Sequence, residues 1–164
     1  MERVAKFYKV GKEQFLGDCS GNHWFLSDDS YDELKLPKRA TSGSAGYDFF
    51  SPMEIRLKPG KTVLIPTGIR CEMKESYALY LFPKSGLGFK YQIGLCNTLG
   101  VVDSDFAFSD NEGHIMVKLV NRGDREVIIH KGDKFCQGIF LPFGITEDDE
   151  CTGVRNGGFG STGK

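Results

Sequence analysis

The apolar residues of this chain come in short alternating runs, each closed by glycine or proline, and that rhythm admits little but β-structure. In "SYALYLFPKSG" the side chains of Tyr77, Leu79 and Leu81 point one way and those of Ala78, Tyr80 and Phe82 the other, until Pro83 ends the ladder. "EIRLKPGKTVLIPTGIRCEM" divides into two or three strands at Pro59-Gly60 and at Pro66-Thr67-Gly68. "HIMVKLVNRGDREVIIHKGDKFCQGIFLPFG" divides into three, at Asn121–Asp124 and Lys131–Asp133. At 164 residues the chain suits one domain with its own core. The expectation is an all-β sandwich or barrel, of jelly-roll type.

One segment breaks the rhythm. After a first strand in "RVAKFYKV", residues 11–36 show weak periodicity and read as an insertion packed on the sheet. Ser30 and Glu33 have the spacing of a capping box, predicting a short helix that ends before Pro37, and Trp24 reads as a packing anchor.

Charge narrows the ligand. With 21 basic and 22 acidic residues the net charge is −1, which offers no field for nucleic-acid backbone or an anionic membrane, so a small ligand is expected. The five cysteines are odd in number and none has C-x-x-C spacing, so neither a disulfide framework nor a zinc site is implied. Free thiols, a start without an apolar leader and the lack of any run of membrane-spanning length together predict a cytoplasmic protein.

Five stretches are polar and glycine-bearing where a plain sandwich needs only turns: "SGSAGYDFF", "PKSGLG", "NTLGVVDSDF", "KGDKFCQG" and the terminal "RNGGFGSTGK". The last meets most of a phosphate-loop pattern, yet lacks the helix and the hydroxyl after lysine that a nucleotide-binding loop requires. Ser85 and Gly86 offer a hydroxyl and amides to phosphate, Asp103 a carboxylate after the apolar Val101-Val102, and Asn97 an amide able to pair with a base edge. Phe106 and Phe159 are aromatic rings in glycine-rich surroundings, where they suit stacking better than turning. Taken singly each stretch also reads as a turn or a solvated loop end. Together they describe a nucleotide site.

In this order the five stretches, spanning residues 40 to 163, resemble the five motifs of the trimeric deoxyuridine triphosphate nucleotidohydrolases, the dUTPases. That resemblance implies a jelly-roll subunit over residues 1–154 and a C-terminal arm over 155–164 that crosses to a neighbour and closes on the nucleotide. It implies a homotrimer whose sites are each built from all three chains, and hydrolysis of dUTP to dUMP and pyrophosphate. By the same likeness Asp103 is the base that activates water, and Asp48 holds Mg2+ through a bound water. Lys84, Ser85, Gly86, Gln137 and Arg155 would grip phosphates, with Gly160, Ser161 and Thr162 of the arm beside them. Asn97 and the backbone of Gly100, Val101, Val102 and Asp103 would read uracil, Phe106 would lie under the sugar, and Phe159 would stack on the base.

The chain departs from the family pattern at several points. Lys84 stands where arginine is usual, a point charge in place of a planar fork. Phe106 replaces a tyrosine, the segment "AFSDNEGHI" is lengthened, and Arg155 lies one residue nearer Phe159 than is common. Two other readings remain at this level. A dCTP deaminase shares the fold but needs a glutamate where Lys118 stands, and a noncatalytic regulatory dUTP-binding module would use the insertion or the long hairpin at 107–113 for a protein partner.

Overall fold

The computed structural model describes residues 1–155 and 157. The strands are β1 (Ala5–Lys9), β2 (Lys38–Arg39), β3 (Tyr47–Phe50), β4 (Ile55–Leu57), β5 (Thr62–Pro66), β6 (Ile69–Met73), β7 (Tyr77–Pro83), β8 (Ile93–Leu95), β9 (Gly100–Val102), β10 (Met116–Asn121), β11 (Val127–Ile129) and β12 (Lys134–Pro142); β1, β4 to β7 and β10 to β12 lie in the alternating runs, while β2, β3, β8 and β9 do not. The stretch from Glu54 to Met73 gives three strands, β4 to β6, because Pro59-Gly60 and Thr67-Gly68 each interrupt the ladder.

All pairings are antiparallel. The largest sheet has the order β2-β3-β12-β7-β9, and smaller sheets are β5-β10-β8, β1-β6 and β4-β11. Strands distant in sequence therefore lie side by side, the crossed connectivity of a jelly roll. Phe49, Ile65, Leu79, Leu119 and Phe135 are sealed between the sheets. Each such side chain stabilises the fold by about 1.5–3 kcal/mol relative to exposure. β1 is tied to the large sheet by Phe7, whose ring meets those of Tyr47, Phe49 and Phe140 at 5.3, 5.7 and 5.6 Å.

The insertion is helical in two pieces, α1 (Lys12–Gly21) and α2 (Asp28–Asp32). α1 was not legible because only Phe15 and Cys19, four residues apart on one face, are buried, too sparse a stripe to register as a period. α2 starts earlier than the capping box predicts. Ser27 takes the N-cap position and Ser30 is buried inside the helix, so the Ser30–Glu33 box does not form; Asp28 and Asp29 occupy the first turn, where the helix dipole favours acid. Trp24 does anchor the insertion, its indole N–H donating to the Leu64 carbonyl at 3.0 Å. All five cysteines are free, Cys19, Cys71 and Cys136 buried and Cys96 and Cys151 exposed. Among the described residues no helix is long and apolar enough to cross a membrane.

Candidate active site

The large sheet collects the polar motif residues by register. β12 lies between β3 and β7, with Gln137 opposite Asp48 on one side and Phe82 on the other, and β2 sets Lys38 opposite Asp48. Directly opposed residues share a face, and so do residues two apart, which adds Lys84. Between Lys134 and Cys136 β12 shifts register, and Lys134 opposes Phe50. Asp48 is 2% exposed, yet both its oxygens are engaged: Oδ1 accepts from the Lys84 ammonium at 2.7 Å, and Oδ2 lies 2.8 Å from that of Lys134. Burial would push this carboxyl up, but the hydrogen bonds and charges of Lys134 and Lys84 outweigh it and hold it below the ordinary range.

Beside this cluster "PKSG" is not a turn, contrary to its sequence reading. Ser85 and Gly86 open helix α3 (Ser85–Tyr91) and Lys84 is its N-cap, with Leu87 and Gly88 donating back to the Lys84 carbonyl. The first-turn N–H groups of Ser85 and Gly86 lie outside the helical ladder and Ser85 is exposed. Lys84, Ser85 and Gln137 line one side of an apolar-floored cavity of about 500 Å³, which Phe82, Phe89 and Ile139 complete. Lys134 was missed by the motif reading; its proximity to Gln137 within "KGDKFCQG" was the available signal.

Asn97 lies in the exposed turn joining β8 to β9, where Leu99 N–H donates to the Asn97 carbonyl at 2.6 Å. β9 itself supplies Gly100, Val101 and Val102, of which Gly100 and Val102 are buried. Asp103 then caps a 3₁₀ turn, η1 (Ser104–Phe108), without using its side chain. The sequence suggested an apolar setting for this carboxylate. It is instead half-exposed and ion-paired, because Arg155 folds over it: Nη2 contacts Asp103 Oδ2 and Nε donates to Asp105 Oδ1 at 2.7 Å. Phe106 is buried within η1. Phe159, Gly160, Ser161 and Thr162 lie outside the described residues.

The two clusters stand apart within one chain. β9 runs antiparallel to β7 with Val102 opposite Leu79, so Asp103 follows on toward Ala78, whereas Lys84 lies past the other end of β7. Six residues of strand separate those levels, roughly 20 Å at the usual rise per residue.

A polar cluster suited to phosphate and a strand-end carboxylate suited to water activation, both on a jelly-roll sheet, are the parts of a nucleotide-hydrolysing enzyme. Residues 32–163 match the dUTPase family. Over 133 residues the chain is 41% identical to the deoxyuridine 5'-triphosphate nucleotidohydrolase of Lactococcus lactis subsp. lactis (strain IL1403), covering 79% of this chain and 89% of that one. Its fold matches the crystal structure of the dUTPase from Streptococcus mutans with a TM-score of 0.66 and 31% identity, over 86% of this chain and 98% of that one. A dUTPase from phage phi11 of S. aureus, described with a structural Mg(II) ion, matches in fold at a TM-score of 0.64 and 18% identity, over 92% of this chain and 98% of its own. The chain belongs to the dUTPase family, the enzymes that hydrolyse deoxyuridine 5'-triphosphate.

Proposed function

We propose that the chain cleaves dUTP to dUMP and pyrophosphate at sites shared between the subunits of a homotrimer, limiting uracil in DNA and supplying dUMP for thymidylate synthesis in the cytoplasm. One observation carries the shared site: the roughly 20 Å between the levels of Asp103 and Lys84 on a single chain exceeds what one triphosphate spans. A second copy, presenting its Asp103 end to the first copy's Lys84 end, makes the site whole, as a head-to-tail ring does.

In that arrangement Asp103 accepts the proton of a water aligned on the α-phosphorus. Lys84, Ser85, Gly86 and Gln137 hold the phosphates, Asn97 and the Gly100–Asp103 backbone select uracil, and Phe106 supports the deoxyribose. Selection follows from polarity. The cytosine amino group would set donor against donor and leave a buried group unpaired. Arg155 is given up by Asp103 and Asp105 when a triphosphate competes for it, which frees the base as substrate arrives. Residues 155–164 act as the arm and residues 1–154 as the domain, with Phe159 stacked on uracil and Gly160, Ser161 and Thr162 on the phosphates.

Magnesium fits as a passenger of the substrate. Among the described residues no group of three or more His, Cys, Asp or Glu side chains could hold a metal, and Asp48 has both oxygens on lysines. Asp48 would reach the ion through water, and the ion would spread charge over the phosphates. Against the deaminase reading, Lys118 projects exposed from β10 where that chemistry needs a carboxylate.

Subunit complementation tests the proposal. Asp103→Asn and Ser85→Ala chains, each inactive alone in a pyrophosphate-release assay with dUTP, should regain about a quarter of the wild-type rate when refolded together at equal amounts, because random rings rebuild one intact site in about four. No recovery in mixed trimers would show that each chain builds its site alone.

A further inference from the structure

The insertion and the long hairpin meet at a buried histidine. His114 is wholly enclosed. Its Nδ1 lies 2.5 Å from Asp18 Oδ2 on α1, and its Nε2 accepts the Gly68 N–H at 2.8 Å. An acceptor at Nε2 requires the neutral ring with its proton on Nδ1, donating to Asp18. Each neighbour of the ring is held in turn. Gln14 donates to Asp18 Oδ2 at 2.8 Å, and the Phe15 ring packs 6.2 Å from the imidazole. Gly68, at φ +74°, is roofed by the insertion so closely that a Cβ there would lie 2.5 Å from Leu34 Cδ1.

From this ring the contacts lead to the nucleoside segment. The preceding residue, Gly113, sits at φ +70° against the backbone of η1, where a Cβ would lie 2.5 Å from Ala107 Cα and 2.7 Å from the Phe106 carbonyl oxygen. Ser109 N–H also donates to that carbonyl at 3.1 Å, and Arg70 Nη2 donates to the Ala107 carbonyl at 3.1 Å. The following residue, Ile115, exchanges backbone bonds with Ile69 and Thr67 at 2.9 and 3.2 Å. At the hairpin tip Glu112 Oε2 accepts the Gly11 N–H at 2.6 Å, a second tie to the start of α1. The hairpin that carries Asp103 and Phe106 is thus wedged between the β5–β6 turn and the insertion, with His114 as the wedge.

We propose that His114 is a positioning residue through which the α1–α2 insertion sets the height of Phe106 for the nucleoside. The inference rests on the reading of Asp103 and Phe106 as the nucleoside side of the site. The insertion then tunes substrate affinity without touching substrate. The wedge also carries a proton dependence. The charged groups facing the ring are Asp18 from α1 and Glu112 from the hairpin; the β5–β6 turn presents only the Gly68 N–H. Burial lowers the ring's proton affinity more than these carboxylates restore it. Protonation in acid puts a second N–H at Nε2, facing the Gly68 donor, and the wedge loses its grip.

The test compares dUTP turnover with equilibrium binding of a nonhydrolysable dUTP analogue in wild type, Asp18→Ala, Asp18→Asn and His114→Gln. Asp18→Ala should raise KM and the analogue Kd about fivefold to tenfold with kcat within about twofold, the cost of one lost buried hydrogen bond read in ground-state binding. Asp18→Asn, which keeps an acceptor for Nδ1–H, should restore both. Analogue binding by wild type should weaken by about fivefold as pH falls well below the ordinary histidine value of 6.5 and the ring is forced to take a proton, while His114→Gln, an acceptor that cannot be protonated, should lack that loss. Should His114→Gln fail to fold, the two substitutions at the partly exposed Asp18 still decide the question. Unchanged KM and Kd in Asp18→Ala, or a fall in kcat alone as a loss of folded enzyme would give, overturns the proposal. Analogue binding reports on the wedge even if Asp103→Asn were to keep full turnover, so failure of the base assignment and failure of the wedge are told apart.

Discussion

Asp48 and Asp103 are both aspartates at the polar margin of one sheet, and their surroundings could hardly differ more. Asp48 is buried, with each oxygen on a lysine anchored to a neighbouring strand or strand end. Asp103 is half-exposed, and its partner is an arginine from the chain terminus. A carboxylate fixed by two cations on rigid elements is poor at taking a proton but good at aiming those cations. A carboxylate whose charged partner among the described residues can be drawn off by phosphate is the one able to act on water. On the proposed function, positioning falls to the first and chemistry to the second.

Removing the charge at position 103 is the most severe way to probe this contrast. Asp103→Asn should lower kcat by about 10²–10⁴-fold while leaving the affinity for a nonhydrolysable dUTP analogue within about threefold, as loss of a general base does. Single-turnover pyrophosphate release beside a binding titration measures both quantities. A variant that turned over normally would move the base elsewhere.

Asp48→Asn should act on stability and phosphate affinity together. It leaves two ammonium groups facing each other across a neutral amide, and with the lysines partly solvated the loss should be about 1–3 kcal/mol in a denaturant titration. The pH dependence has a definite sign. Because the folded-state pKa lies below the ordinary aspartate value of 3.8, this contribution is complete above that value and is lost as pH falls through the folded one. The wild-type stability advantage over Asp48→Asn should therefore be constant near neutrality and shrink only in strong acid; an advantage that vanished near pH 6 would implicate a histidine instead.

The difference between the two aspartates also marks what sequence could and could not disclose. The alternation in "SYALYLF" and the glycine and proline punctuation marked the segments that form β4 to β7 and β10 to β12, leaving open whether 54–73 held two strands or three, since strand period and turn chemistry are local. "GVVDSDF" and "AGYD" pointed to both aspartates through their likeness to the family's motifs. The lysine partners of Asp48 were hidden because they meet only through the register of β12 between β3 and β7, and Lys134 only through a shift in that register. Helix α1 was hidden because its stability comes from Phe15 and Asp18 meeting a distant turn and hairpin, not from its own pattern. The 20 Å gap was equally invisible, being a property of strand direction.

The mildest probe is the pairing of Arg155 with Asp103 and Asp105. Both carboxylates are about half-exposed, with side-chain exposures of 50% and 54%, so solvent and salt screen the pairs heavily. Arg155→Ala should therefore change thermal stability by less than about 1 kcal/mol. Its effect should fall instead on substrate, raising KM, and the difference from wild type should narrow as salt is raised, because screening weakens a guanidinium–phosphate contact that the variant has already lost. Measuring KM against salt for the two proteins separates a structural tie from a hand-over. A large stability loss with KM unchanged would make Arg155 a clasp that holds the terminus down, and Asp103 would then need another route to become free.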